Sequence, residues 1–141
     1  MKKVILALVI PIMFLSCSKD ANEITAENNA SFKVEYIQTG KFEGYSRTIG
    51  IKPNLIFEGT DISTGAVLDD SKLTNEKYTL VTKGKIELLK LTFKLVPKQG
   101  VNDLAEFTIN VYKNGKKIDN KSFKVQSSSL VMDHSWEYKA K

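Results

Sequence analysis

Alternating apolar and polar side chains dominate this chain, and such a period-two pattern is typical of half-buried β-strands. Turn residues interrupt the alternation about every ten residues, so the predicted strands are short. Pro53 cannot donate a ladder hydrogen bond, so we expect an edge, a bulge or a break there. The predicted strands are Phe32–Gly40, Thr48–Ile51, Leu55–Glu58, Tyr78–Thr82, Ile86–Val96, Phe107–Val111, Lys116–Gln126 and Leu130–Lys139.

One turn in this series is especially well defined. Asn114-Gly115 separates two alternating runs, and Asn-Gly is the strongest short hairpin signal because a type I′ turn needs positive φ at both central residues. Residues 59–75, in contrast, show no clear period and are predicted to form a loop. About seven short strands without an amphipathic helix predict an all-β domain over residues 32–141, a sandwich or an open barrel.

The first residues of the chain do not belong to this domain. Lys2 and Lys3 precede an apolar run from Val4 to Leu15, which would span about 18 Å as a helix, against a hydrocarbon core of roughly 30 Å. Such a run after a short basic segment is typical of a signal peptide, here residues 1–16. The next segment, residues 17–31, contains one large apolar aliphatic side chain, and we interpret it as a flexible tether.

The end of the signal peptide, Phe14-Leu15-Ser16-Cys17, resembles the lipobox of bacterial lipoproteins. The resemblance implies cleavage before Cys17 and a lipid on its sulfur, with palmitate among the acyl chains. Several chains hold a protein at a membrane almost permanently, since each buried methylene adds about 0.8 kcal/mol. The following Ser18-Lys19-Asp20 looks like Bacteroidota lipoproteins, which implies the outer membrane, on its periplasmic face or at the cell surface. The alternative is an ordinary secretory signal followed by a chance cysteine.

Composition argues against several function classes. The chain carries 21 Lys plus Arg against 16 Asp plus Glu, a formal net charge of +5 that falls to +3 without Lys2 and Lys3. This modest excess, with Arg47 as the sole arginine, argues against a nucleic-acid partner and against bidentate phosphate recognition. One Cys and one His form neither an internal disulfide nor a zinc site of the usual kind, and we predict no cofactor.

The order of features across Val34–Tyr138 is similar to the periplasmic domain of the MmpS family. The matching features are a Tyr/Val-rich strand ending at Gly, a central strand pair, and a strand leading into an Asn-Gly-Lys hairpin, at Val34–Gly40, Tyr78–Leu88 and Phe107–Lys116. The resemblance implies an immunoglobulin-type sandwich and an accessory role, since mycobacterial members are accessory subunits of RND-type lipid exporters. The Pro-Trp turn and the late Cys pair of that family are absent here.

Two sets of side chains are candidate sites. His134, Trp136 and Tyr138 alternate along the last strand and therefore share one face. They form either a platform for a sugar, peptide or protein partner or a row that packs on the facing sheet, and strand aromatics serve packing first. Loop carboxylates can bind Ca²⁺, but without an Asp-x-Asp-x-Asp-Gly pattern they read more simply as turn residues, so no metal site is predicted. These carboxylates are Asp61, Asp69, Asp70 and Asp103.

The sequence contains no Gly-x-Ser-x-Gly, phosphate-binding glycine loop or His-Glu-x-x-His motif, so we predict that the protein is not an enzyme. We expect a lipid-anchored binding or accessory lipoprotein of the bacterial cell envelope. Its partners would be the membrane, through the lipid on Cys17, and an envelope protein. Two alternatives stay open: an immunity or inhibitor lipoprotein that neutralises an envelope toxin or hydrolase, and a small carbohydrate- or peptide-binding module.

Overall fold

The predicted alternation builds two sheets in the computed structural model, which describes residues 28–52, 56–57, 67–82, 84–126 and 129–141 (the backbone alone at 56–57). Pro53 and its predicted break lie outside the described residues. The elements in chain order are β1 (Phe32–Gly40), a 3₁₀ helix (Phe42–Gly44), β2 (Tyr45–Lys52), β3 (Ile56–Phe57), β4 (Val67–Leu68), β5 (Lys77–Val81), β6 (Leu88–Pro97), β7 (Ala105–Lys113), β8 (Lys116–Val125) and β9 (Met132–Lys139).

The strands form two antiparallel sheets. Sheet one has the order β3-β5-β1-β7-β8, and sheet two has the order β4-β2-β6-β9. In sheet one, β1 pairs along its whole length with β7, from Phe32 opposite Lys113 to Gly40 opposite Ala105. In sheet two, β6 lies between β2 and β9. Buried faces of both sheets meet in one core, and the predicted all-β sandwich is confirmed.

The core consists of the side chains that the alternation assigns to one face of each strand. Along β6, four apolar side chains are fully buried while the polar side chains between them are exposed. The ring of Phe93, on sheet two, lies 6.2 Å from the ring of Tyr36 and 5.9 Å from that of Phe107, both on sheet one. Full burial of one such side chain contributes roughly 1.5–3 kcal/mol, so these rows hold the two sheets together.

One strand was missed, and several strand boundaries differ from the predictions by one to three residues. β4 lies inside the segment 59–75 that was predicted to be a loop, because Leu68 is fully buried and pairs with Ile49. β6 begins at Leu88 instead of Ile86, because Ile86 exchanges two backbone hydrogen bonds with Ala30, at 2.8 and 2.9 Å. The folded part of the chain therefore includes Ala30, which the sequence analysis assigned to the tether.

The predicted hairpin between β7 and β8 is confirmed. Asn114 and Gly115 have φ of 50° and 79°, the left-handed conformation that a type I′ turn requires. The backbone N–H of Asn114 also donates to the carbonyl of Ser31, at 2.9 Å. The turn is therefore fastened to the first described residues of the chain.

Antiparallel connectivity gives the sandwich two distinct ends. We call the first the tether end, because the described chain begins there; it contains Ala30, Ile86, Asn114 and Ala140, which backbone hydrogen bonds connect to one another or to their neighbours. The far end contains the 3₁₀ helix and two loops, residues 69–76 and 98–104. Backbone bonds from Gln38 to Glu76, from Lys98 to Gly44 and from Lys41 to Leu104 connect these three segments to the strand ends.

Candidate functional site

The structure separates the predicted candidates into two groups. Cys17 and Asp61 lie outside the described residues. The aromatic residues of β9 turn toward sheet one at the side of the sandwich where β8 and β9, the edge strands of the two sheets, face each other. The remaining carboxylates, Asp69, Asp70 and Asp103, belong to loops at the far end. Within the described ranges, no helix has the length and apolar character needed to span a membrane.

The rings of β9 belong to a continuous stack. The Phe123 ring lies 5.4 Å from that of Phe93 and 5.2 Å from that of His134, at interplanar angles of 22° and 18°. The Trp136 ring follows, 5.5 Å from His134. Lys121 of β8 places its ammonium nitrogen 5.9 Å from the Trp136 ring centre. The stack therefore links both sheets and closes this side of the sandwich.

This arrangement favours packing over ligand stacking for most of the row. The imidazole of His134 stacks against Phe123 and Trp136, whereas stacking on a sugar requires an open ring face. The hydroxyl of Tyr138 donates to Asp119 at 2.8 Å, and burial together with this carboxylate raises the pKa of Tyr138. Tyr138 therefore stays a hydrogen-bond donor, and the half-buried edges of Trp136 and Tyr138 are what a partner could contact.

A second cluster lies at the far end, where Arg47 meets Asp70 and Gln38; the two buried polar residues, Arg47 and Gln38, were not among the predicted site residues. Arg47 is 4% exposed, and its guanidinium donates to Gln38 Oε1 at 2.9 Å and to Asp70 Oδ1 at 3.0 Å. Gln38, fully buried, donates in turn to the carbonyls of Leu73 and Asn75, at 2.9 and 2.7 Å. The sole arginine thus fastens the loop 69–76 to the ends of β1 and β2.

One signal in the sequence could have revealed this burial. Arg47 has the same parity along the chain as Ile49 and Ile51, so the alternation assigns all three side chains to the inward face. A buried guanidinium needs partners for its charge and its donors. The sequence alone does not say which of the sixteen acidic residues supplies the carboxylate.

Electrostatics explain why Asp70 stays ionised there. Burial raises the pKa of Asp70, but hydrogen bonds from Arg47 and the positive charges of Arg47 and Lys98 outweigh it and hold the pKa below its ordinary value. Lys98 Nζ lies 3.4 Å from the second carboxylate oxygen. Asp70 therefore already has two cationic partners.

We tested whether the described carboxylates fit a calcium ion, which binds six to eight oxygen ligands. Among the described residues, no three His, Cys, Asp or Glu side chains come close enough together to hold a metal. Asp70 pairs with Arg47, and the neighbouring Asp69 accepts hydrogen bonds from the amide and hydroxyl of Ser71. The described residues therefore do not by themselves supply a calcium site, although Asp69 is exposed and makes no ion pair with them.

His134→Ala is expected to destabilise the fold by about 1–2 kcal/mol, since it removes two ring contacts of about 0.5–1.5 kcal/mol each. The corresponding fall in Tm is roughly 5–10 °C. Thermal unfolding followed by circular dichroism measures it, with Ser135→Ala on the exposed face of the same strand as the matched control. An unchanged Tm for His134→Ala would show that the stack does not hold the sheets together.

Asp70→Asn is expected to cost about 2 kcal/mol at neutral pH, because it leaves the buried Arg47 charge without its closest carboxylate. The pKa of Asp70 is lowered in the fold, so its contribution is complete above the ordinary Asp pKa of about 3.9 and disappears as the pH falls through the lowered value. The difference in the free energy of unfolding between wild type and variant, measured by urea unfolding, should therefore become smaller below about pH 4. A difference that stays constant to the acid limit would contradict this role, and Asp133→Asn on the exposed face of β9 is the control for removing a surface carboxylate.

Solved structures with a similar fold come from Parabacteroides and Bacteroides species. The NMR structure of the calcium-bound form of a protein from Parabacteroides distasonis is 27% identical, with a TM-score of 0.68 over 78% of this chain and 92% of that one. Crystal structures of DUF4425 proteins from Bacteroides vulgatus and Bacteroides ovatus have TM-scores of 0.66 and 0.62, at 12% and 11% identity. They cover 79% of this chain and 97% and 96% of their own lengths, and at this identity they show the fold alone.

Comparison with curated proteins gives no match. A family model, in contrast, matches nearly the whole chain, and its description is "PLAT/LH2 and C2-like Ca²⁺-binding lipoprotein". This is a lipoprotein family, in agreement with the lipobox resemblance at Cys17, and it is not the MmpS family that the strand pattern resembles. The match extends over residues 1–139, and the chain therefore belongs to the family of PLAT/LH2- and C2-like Ca²⁺-binding lipoproteins.

Proposed function

We propose that this lipoprotein is a non-enzymatic binding module that a lipid on Cys17 anchors at the outer membrane. The family is one of lipoproteins, which supports a membrane-anchored location in the envelope. Anchoring concentrates the domain beside other envelope proteins, so a contact that is weak in solution becomes effective at the membrane. The proposed partner is an envelope protein, and the proposed activity is binding.

The observation that carries the non-enzymatic proposal is the position of the one histidine. His134 stacks against Phe123 and Trp136, an arrangement suited to packing more than to proton transfer with a substrate. Several carboxylates in the described part are similarly occupied: Glu35 binds Tyr112 and Lys33, and Asp119 binds Tyr138 and Lys121. A general acid or base must be able to reach the proton that it transfers.

Two kinds of partner are candidates for the accessory role. The MmpS-like order of strands supports an accessory subunit of a transport complex, whereas a small lipoprotein of this kind can equally neutralise a toxin or hydrolase in the envelope. The half-buried edges of Trp136 and Tyr138 are the proposed contact surface in either case. A peptide or sugar ligand on the same surface is the third possibility.

Calcium binding is a second candidate function, favoured by the family and by the calcium-bound relative from Parabacteroides distasonis. At the far end, the described residues contribute exposed carboxylates that make no ion pair with another described residue, namely Glu43, Asp69, Glu76 and Asp103, and no three of them lie close enough together to hold a metal. Extracellular calcium modules typically bind with Kd of about 10⁻⁴–10⁻³ M. We propose binding in this range, with Asp69 among the ligands.

Cys17→Ser in the full-length protein is expected to abolish incorporation of labelled palmitate and to leave the precursor uncut. With a C-terminal affinity tag, gentle solubilisation of native membranes should recover an envelope protein with the wild type and lose it with the variant. Ser16→Ala, which keeps a small residue before the cleavage site, is the matched control. Palmitate in the Cys17→Ser protein would contradict anchoring, and identical co-purifying proteins from both would contradict a role for the anchor in partner binding.

Calcium titration of the mature chain, followed by calorimetry, should give a saturable heat that Asp69→Asn weakens by about tenfold or more, in line with the loss of one charged ligand. Glu87→Gln, which removes a carboxylate at the opposite end of the sandwich, should leave the affinity unchanged. No saturable heat with the wild type would contradict calcium binding. Equal affinities for all three proteins would exclude Asp69 as a ligand.

A further inference from the structure

Six lysines gather at the tether end of the sandwich. In sequence they belong to three separate segments: the β5–β6 connection, the β7–β8 hairpin, and the end of β9 with the residues that follow it. Against them, the described residues at this end contribute one acidic side chain, Glu87. The lysines are Lys85, Lys113, Lys116, Lys117, Lys139 and Lys141.

Specific hydrogen bonds hold these segments together. The Ala30–Ile86 bridge fixes the β5–β6 connection beside the start of the domain, and the Asn114 amide bonds to Ser31. The backbone amide of Ala140 donates to the backbone carbonyl of Glu87, at 2.8 Å. The ammonium of Lys113 reaches the carbonyl of Ala140, at 3.2 Å. The lysines therefore form one basic surface, although no more than three of them lie near one another in sequence.

The remainder of the described surface is close to neutral. Ion pairs occupy lysines along the strands, such as Lys90 with Glu137 and Lys124 with Glu106. At the far end both signs are mixed, and Asp70 pairs there with Arg47 and Lys98. Among the described residues, the positive excess is therefore concentrated at the tether end.

The basic surface is also the part of the domain closest to the anchor. Eleven peptide steps separate Cys17 from Asn28, which limits their separation to about 40 Å even for a fully extended chain. Asn28 itself lies at the tether end, where it lines a shallow cavity of about 360 Å³ with Glu87, Leu88, Lys139 and Lys141. A lipid on Cys17 thus keeps this end within about 40 Å of the membrane.

We propose that the basic surface at the tether end docks onto the anionic lipid surface in which the protein is anchored. The proposal rests on the anchoring of Cys17 proposed above. Each lysine near an anionic membrane strengthens binding about fivefold, and the attraction fades within about 10 Å at 0.1 M salt. Docking by this surface orients the domain, so the far end, with Asp69 and Asp70, points away from the membrane.

Vesicle binding by the unlipidated mature chain, residues 17–141 with Cys17→Ser, tests the surface independently of the anchor. The chain should co-sediment with vesicles of equal parts phosphatidylcholine and phosphatidylglycerol, and not with phosphatidylcholine alone. Replacing Lys116, Lys117 and Lys141 with Gln should weaken binding on the order of 100-fold. The matched control, Gln at Lys41, Lys72 and Lys77 of the far end, removes the same charge and should weaken it far less.

Orientation is measured with a polarity-sensitive dye on a single cysteine. Asn29→Cys at the tether end and Asn102→Cys at the far end are matched exposed positions in the same Cys17→Ser background. The dye at position 29 should brighten on anionic vesicles and lose the signal in about 1 M salt, where the screening length is about 3 Å. Equal losses for both triple variants, a response at position 102, or no vesicle binding would each overturn the proposal. None of these results depends on whether Cys17 carries lipid in the cell.

Discussion

A strand in a sandwich can bury only one of its two side-chain rows, and this constraint decides which residues of the protein remain available for function. The inward rows form the core, and the side between β8 and β9 must also be closed. The stack of Phe123, His134 and Trp136 does this, because it joins the edge strands of the two sheets. The aromatic residues of β9, which the sequence offered as a possible ligand platform, therefore mainly serve packing. The polar clusters lie at the two ends of the sandwich.

The sequence predicted the elements whose signals are local. The strands with clear alternation and the Asn114-Gly115 turn formed as expected, because side-chain parity and positive φ are properties of neighbouring residues. β4 was missed because two residues are too few to show a period, and Leu68 owes its burial to a partner strand distant in sequence.

The two polar clusters could not be predicted from the sequence, because their members come together only in the folded chain. Arg47 and Asp70 are separated by twenty-three residues and meet only because β4 pairs with β2. The lysines of the tether end come from three separate segments of the chain. No local sequence pattern indicates that these segments lie together. Cys17 is the opposite case: its proposed lipidation rests on the sequence alone, because the peptidase that processes a lipoprotein recognises a short linear motif and not a folded surface.

Together, these features describe a module whose two ends differ: the tether end is basic, and the far end carries charges of both signs. The proposed anchor is joined through the chain to the end that carries the basic surface, so burial of the acyl chains and electrostatic attraction to the membrane would act on the same end. At the other end, the buried Arg47 network holds the loop that carries Asp69, the carboxylate we propose for calcium. The polarity separates the membrane contact from the loops that face other envelope molecules.

Hydrogen exchange of the lipidated protein, reconstituted in membranes of phosphatidylcholine with and without phosphatidylglycerol, tests this polarity most directly. We expect slower exchange in the anionic membrane at residues 84–88, 113–117 and 139–141, with no change at residues 41–44 and 98–104. Protection confined to the far end, or equal exchange at both ends in both membranes, would contradict it.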